Sequence, residues 1–339
     1  MIIGIILLVI LIFGILVFVH EFGHFIMARR GGVDVEEFGF GFPPRLVGIK
    51  RGSTVYSINL IPLGGFVKMK GEAIQEDTPG SFGAASFMAK SKILLAGVTM
   101  NAFLAYVVLV WLCLTGLPPV VSGQYSFGTP EYAQPKQLMA VTVDPKSPGA
   151  KAGLQRGDMI ISGNGKPLGS ERELLNFTKA HAGQKVTLEI SHDGVKRSVT
   201  PTLNPPGSTK GFLGVGPLQT YQLRYDFVSS LVTAAGISLQ MIYQTFFAFI
   251  GLIAGLFVHG QVSENISGPV GIVVLLSNIV DLGLPYVLIF VASISVSLAV
   301  INILPLPALD GGRYAMVLAQ RLTGKALSQQ TENIIHAAG

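Results

Sequence analysis

Apolar residues come in long unbroken runs along much of this chain. Met1 to Val19 carries no charge, and the run continues past His20, Glu21 and His24 to Ala28. Ile93 to Leu117 is a second uncharged run and Leu282 to Leu309 a third. Each meets the roughly 20 residues that an α-helix needs to cross the hydrocarbon core, so three membrane helices are predicted. A signal peptide would have basic residues before its apolar stretch and a small-x-small cleavage site after it. The first run has neither, and Arg29 and Arg30 follow it, so it is expected to be a retained helix. A fourth run, Phe227 to Val258, is long enough to span, yet Asp226, Ser229, Thr233, Gly236, Gln240 and Gln244 recur at three- and four-residue spacing. Such a polar stripe also suits a helix lying on a surface, and hydropathy alone does not decide between the two.

Between these runs the pattern changes. From about Gly39 to Lys70 the chain alternates, as in Val55-Tyr56-Ser57-Ile58-Asn59-Leu60, and is rich in glycine. This predicts a β-hairpin pair close to the membrane. Residues 71–90 are expected to form a polar loop. From about Val120 to Leu203 short alternating runs (Met139–Val143, Lys185–Ile190, Lys196–Thr200) surround one helical stretch, Ser170–His181. Turn signals stand at Gly163-Asn164-Gly165 and Asp193-Gly194. That is the pattern of a small α/β domain. The expected divisions are 1–117 (helix 1–28, β-loop 29–92, helix 93–117), a domain at 120–205, a surface helical region at 206–281, and a second membrane part at 282–339.

Composition agrees with a membrane location. Half of the residues are hydrophobic and 13% are charged, about half the charged share of an ordinary soluble domain. The net charge of +5 is scattered rather than gathered into a stripe; it suits the basic flanks of membrane helices and argues against nucleic acid as a partner. Arg29, Arg30, Lys50, Arg51, Lys68, Lys70, Lys90 and Lys92 lie between the first two runs. The positive-inside rule therefore puts that loop in the cytoplasm and the 120–205 domain outside it. One cysteine, Cys113, permits no disulfide framework. Nothing in the sequence specifies an oligomeric state.

Candidate chemistry lies in the first run. His20-Glu21-Phe22-Gly23-His24 is an HExxH pentad. On a helix its two histidines share a face and can bind one Zn2+, and the intervening Glu can take a proton from water beside the metal. Burying these three groups in hydrocarbon is costly unless they are paired or hold a metal. The alternative is that they sit near the interface and are solvated. A catalytic zinc takes three protein ligands. The extended HExxHxxGxxH form is absent, because Met27 and Arg30 occupy its Gly and His positions. Glu36, Glu37 and His259 could serve as the third ligand. Asp310 is the best candidate, at the end of Asn302-Ile303-Leu304-Pro305-Leu306-Pro307-Ala308-Leu309-Asp310-Gly311-Gly312. The prolines there break the helix and free backbone groups at membrane depth, as a cavity or an active site would require. An ordinary helix-ending turn has the same spacing.

HEFGH and NILPLPALDG together resemble the site-2 protease family of intramembrane metalloproteases, in particular its bacterial RIP metalloprotease branch. The likeness covers almost the whole chain. Pro62-Leu63-Gly64-Gly65-Phe66-Val67 with Gly71-Glu72 is similar to that branch's membrane-associated β-loop. Ala96-Gly97 and Asn101 match its second helix, and Gly268-Pro269-Val270-Gly271-Ile272 also matches. Ser147-Pro148-Gly149-Ala150 and Ala152 to Asp158 resemble its PDZ domain.

The resemblance implies an α-helical polytopic membrane protein with a β-loop and an inserted extracytoplasmic PDZ-like domain. It implies zinc on His20, His24 and Asp310, with Glu21 as catalytic base. Asn302, Gly64 and Gly65 are expected at the substrate strand. Expected partners are the lipid bilayer and single-span membrane proteins, such as anti-sigma factors or remnant signal peptides, in a bacterial inner membrane. For the three ligands to meet at one depth, the third helix must run in the direction of the first. The 227–258 run is then expected to lie flat. The family usually has a further helix after the Asp-Gly motif, and no further apolar run follows here as far as Gly339. A non-catalytic scaffold and a zinc transporter are the competing classes. Glu21 argues against the first, and the lack of a second, repeated half argues against the other.

Overall fold

A computed structural model describes residues 2–72, 77–133, 137–192, 194–208, 211–259 and 268–324. The elements in chain order are α1 (Ile2–Arg30), β1 (Val35–Arg51), β2 (Thr54–Met69), α2 (Phe87–Thr115), β3 (Tyr132–Ala133), β4 (Gln137–Val143), α3 (Pro148–Lys151) and β5 (Met159–Gly163). They continue with β6 (Lys166–Pro167), α4 (Glu171–Ala180), β7 (Leu188–His192), β8 (Val195–Val199), β9 (Val215–Thr220), β10 (Leu223–Arg224), α5 (Phe227–His259), α6 (Pro269–Val280), α7 (Leu284–Ile303) and α8 (Asp310–Thr323). Among the described residues four helices are long and apolar enough to cross a membrane: α1, α2, α7 and, over Phe227–Gly255, α5. The chain divides into two compact units. One comprises Met1–Val108, Ser238–Val273 and Val291–Gly339; the other comprises Leu109–Ile237 and Val274–Phe290.

In the first unit, helix α1 distributes its side chains over distinct faces. At about 100° per residue, Phe18, Phe22 and Phe25 share one face, and His20 and His24 project from the opposite one. The aromatic face packs on β1 and β2: Phe25 stacks on Phe38 with ring centroids 4.8 Å apart and meets Tyr56 edge-on at 5.9 Å. Ala28, Val33, Val35, Met69 and Ile93 complete this buried cluster. Helix α2 begins at Phe87 rather than at the predicted residue 93, because the Ser86 hydroxyl accepts the Ala89 N–H (3.2 Å) and caps an extra polar turn. Local capping thus extends the helix beyond its apolar run.

β1 and β2 pair as one antiparallel hairpin that doubles back on itself. Residues 37–40 lie between two runs of β2, as Phe38 pairs with both Tyr56 and Val67 and Phe40 with both Ile58 and Gly65. Residues 45–51 pair with the near run through Val47–Ile58 and Ile49–Tyr56. Gly65–Met69 is therefore paired on one side only among the described residues. The far end of the hairpin exposes Phe42, Leu46, Val47, Ile49, Ile58 and Leu60, each between 43% and 62% accessible. No soluble hairpin would leave so much apolar surface to water.

The second unit holds a six-stranded antiparallel sheet in the order β8-β7-β5-β4-β9, with β6 paired to β5. Asn164 and Gly165, both at positive φ, form the two-residue turn between β5 and β6. Helix α4 fills the predicted 170–181 stretch, with Ser170 as its N-cap and His181 as its C-cap. Leu138, Ile160, Leu174, Leu188 and Ile190 form the core. The sheet runs on past the expected boundary at 205, because β9 pairs with β4. β9 thus lies in the stretch expected to belong to a surface helical region, and Pro217 is tolerated because β9 is an edge strand. Of the two predicted turns, Asp193 lies outside the described residues.

Asp158 anchors this unit. It is fully buried and accepts hydrogen bonds from the Gln155 N–H (2.8 Å), His192 Nδ1 (2.8 Å) and Arg197 Nη2 (3.1 Å). Replacing Asp158 with Ala leaves these donors facing an apolar gap. The opening free energy of β5 and β7 should then fall by about 2 kcal/mol, read from amide hydrogen exchange of the solubilised chain. Unchanged exchange would contradict this role.

Candidate metal centre

Three donor atoms from two distant segments converge in the first unit. His20 Nε2 lies 3.0 Å and His24 Nε2 3.2 Å from Asp310 Oδ2, and the two nitrogens are 3.2 Å apart. Both imidazoles are buried. Local structure explains each placement. The histidines are one helical turn apart on α1. The segment 304–309 turns sharply at the end of α7, with Ala308 at φ 66°. Pro305 and Pro307 prevent α7 from continuing. Asp310 then opens α8, where the free N–H groups of a helix N-terminus favour a carboxylate.

The chemistry of this donor set fits a ligand set for a cation. Asp310 Oδ2 is buried, and among the described residues only the two ring nitrogens, within 3.2 Å, stand near enough to meet it. His24 donates Nδ1–H to the Ile93 carbonyl at 2.8 Å, which leaves Nε2 with its lone pair toward the cluster. Lone pairs of nitrogen and a carboxylate oxygen facing one another call for a cation. Four ligands around zinc at 2.0–2.1 Å stand about 3.3 Å from one another, close to the spacing found here. His20, His24 and Asp310 therefore fit zinc, and they form the one such group of three among the described residues.

The other predicted candidates go elsewhere. Glu36 pairs with Lys68 (2.8 Å), and Glu37 pairs with Arg45 (2.5 Å) and accepts from the Ser57 hydroxyl (2.6 Å). Both belong to the hairpin and its ion pairs, which is why neither joins the cluster. The His259 side chain lies outside the described residues. Glu21 projects between the histidine face and the aromatic face of α1. Its Cγ lies 3.8 Å from where a Cβ on Gly65 would stand, so it sits between the cluster and the one-sided run of β2. Gly64 has φ +101°, and a Cβ there would come within 2.9 Å of Val17 on α1. Asn302 stands half-buried on the last turn of α7 and is not among the converging groups.

Two features here carry no metal-ligand chemistry and were not assigned a role from sequence. Gly97 packs so tightly that a Cβ would overlap His20 Nε2 and His24 Nε2, and Gly23 likewise meets the Ala96 carbonyl. A small residue facing a histidine pair is a signal only once the helices are known to cross there. Arg313, on the first turn of α8, pairs with Glu72 (2.5 Å) and lies over the Phe82 ring, tying the Asp310 helix to the end of β2.

Comparison with known proteins agrees with this chemistry. The model of Peptidase family M50 matches residues 8–339. A Clostridium acetobutylicum protein, provisionally named a zinc metalloprotease, is 30% identical over 337 residues, covering 98% of this chain and 92% of the relative. The zinc metalloprotease RasP of Geobacillus kaustophilus is 27% identical over 412 residues, covering 97% and 92%. RasP of Shouchella clausii is 27% identical over 418 residues, covering 97% and 93%.

Gly97→Val tests the packing directly. Zinc affinity, measured against a chromophoric chelator in detergent, should fall at least about tenfold, and retention of wild-type affinity would show that the site has room to spare. With a buried two-histidine, one-carboxylate cluster in a set of apolar helices, and a family match over nearly its full length, the chain belongs to Peptidase family M50, the site-2 proteases, and is a zinc metalloprotease.

Proposed function

We propose that this protein hydrolyses peptide bonds of single-span membrane proteins within or at the edge of the bilayer, with His20, His24 and Asp310 holding zinc and Glu21 as the base. The observation that carries this reading is the approach of the three donor atoms to within 3.0–3.2 Å of one another. When bound, zinc supplies the Lewis acidity that polarises a scissile carbonyl and makes water easier to ionise. Glu21 takes the proton of the attacking water on its carboxylate and passes it to the leaving amide nitrogen. Asn302, on the turn before the Asp-Gly motif, steadies the substrate backbone.

A helical substrate hides its carbonyls in its own hydrogen bonds, so it must be drawn into an extended strand before it can be cut. Gly64 and Gly65 open the one-sided run of β2, and Glu21 lies beside them. An unwound segment adding to that edge gains backbone hydrogen bonds and is presented to Glu21. Side chains at these two positions would narrow the approach. The exposed apolar tip of the hairpin supports its contact with lipid.

Orientation follows from where the site lies along each helix. α1 carries its histidines near its C-terminal end and Asp310 follows the C-terminal end of α7, whereas α2 contributes Ile93 and Gly97 near its N-terminal end. α1 and α7 therefore run alike, and α2 runs against them. With Arg29, Arg30, Lys90 and Lys92 on the cytoplasmic side, α7 must start outside. The segment between α2 and α7 then begins and ends outside. α5 and α6 together lie on the outer surface or dip in and return; α6, at 12 residues, is too short to cross alone. The β4–β9 region acts outside as a PDZ-like domain. A cavity of about 480 Å3 between β9 and α4, walled by Leu174, Thr178, Leu213 and Val215, supports contact with an extended peptide. Its role is to admit short or trimmed substrates. The relatives above are bacterial, which supports a bacterial inner membrane.

Glu21→Gln is the test. In proteoliposomes with a single-span reporter, cleavage should fall by about 10²- to 10⁴-fold, while bound zinc stays at the wild-type level. Undiminished cleavage would remove Glu21 as the base.

A further inference from the structure

Asn101 carries a second unpaired buried atom beside the cluster. It lies on α2 one turn beyond Gly97 and is completely buried. Its amide nitrogen stands 3.3 Å from His20 Nδ1, while its Oδ1 has no hydrogen-bond partner among the described residues. On the metal reading proposed above, His20 binds through Nε2, the nitrogen 3.0 Å from Asp310. A neutral imidazole has one proton, so a ligating Nε2 leaves that proton on Nδ1. Two N–H groups facing each other at 3.3 Å repel. A half-turn of the amide about its Cβ–Cγ bond, which exchanges two ends of nearly equal shape, brings Oδ1 to the same place and turns the contact into a hydrogen bond.

We infer that Asn101 accepts the His20 Nδ1–H in the zinc-loaded protein and so sets the tautomer and orientation of that imidazole. It does for His20 what the Ile93 carbonyl does for His24 at 2.8 Å. Both histidines of α1 are thus oriented from α2, one by a main-chain carbonyl near the start of that helix and one by a side chain. Asn101 is a positioning residue, and it touches no reacting atom. Its own main-chain carbonyl accepts a hydrogen bond from the Ser295 hydroxyl at 2.7 Å, so α7, which leads to Asp310, braces α2 at the same point. A hydrogen bond of this kind raises the basicity of a ligating imidazole and holds its ring plane, and losing such a partner weakens metal binding by about 10- to 100-fold.

Zinc affinity of the full chain, measured in detergent by competition with a chromophoric chelator, separates this role from simple packing. Asn101→Leu keeps the volume and removes the acceptor, and should bind zinc about 10- to 100-fold more weakly. Asn101→Ala should do the same and serves if leucine prevents folding. Asn101→Asp retains an acceptor of the same reach and should bind close to wild type. Ser295→Ala removes the brace without touching the amide and should weaken binding clearly less than Asn101→Leu does. Wild-type affinity in both Asn101→Leu and Asn101→Ala would overturn the inference. So would a loss in Asn101→Asp as large as in Asn101→Leu, or an equal loss in Ser295→Ala. A wild-type chain that binds no zinc would instead overturn the metal reading, and Glu21→Gln, which leaves His20 and Asn101 intact, gives an independent check on it.

Discussion

Two imidazole nitrogens and a carboxylate oxygen held within about 3 Å of one another, inside helices rich in Leu, Ile and Val, are unstable company without a cation. Each can offer a lone pair to the same point. Among the described residues the carboxylate oxygen finds no hydrogen-bond partner. A divalent ion removes the conflict at one stroke, and the surrounding geometry is understandable as whatever keeps three donors from two ends of the chain at one height. The glycines of α1 and α2 allow the helices to close on the site. The proline-broken segment before α8 swings Asp310 into it, and the Arg313–Glu72 pair holds α8 to the end of the hairpin.

Helix α1 ties these requirements together because its three faces do different work. Its aromatic side grips the doubled hairpin, its histidine side meets α2, and Glu21 lies on the boundary between them. Glu21 therefore stands between the three converging donors and the one-sided run of β2, as its proposed role as base requires. That arrangement follows from a helical period of 3.6 and from the one-residue offset between His20 and Glu21. A shift of either residue along the helix would turn the base away from one of its two neighbours.

Much of this was legible in the sequence where one local signal was strong. The uncharged runs gave α1, α2 and α7, and the HExxH pentad marked the histidine face. The Asn-Gly turn and the Ser170 cap marked elements of the inserted domain. Asp310 was one of four candidates, favoured by the proline-broken helix end before it, and the family resemblance singled it out. What stayed hidden depended on contacts between distant segments. β9 falls in the stretch expected to be a surface helical region, because an edge strand tolerates Gly and Pro and so carries no clear strand signal. The doubling back of β1 on β2 needs pairing knowledge that alternation does not carry. The role of Gly97 exists only because α1 crosses α2 there.

X-ray absorption at the zinc edge, on purified chain loaded with one equivalent of metal, tests the central claim most directly. Two imidazoles and oxygen donors at about 2.0–2.1 Å are expected, and Asp310→Ala should change the oxygen part of that shell while leaving the imidazole signature in place. A shell that is unaltered by losing Asp310, or one without two imidazoles, would contradict the account.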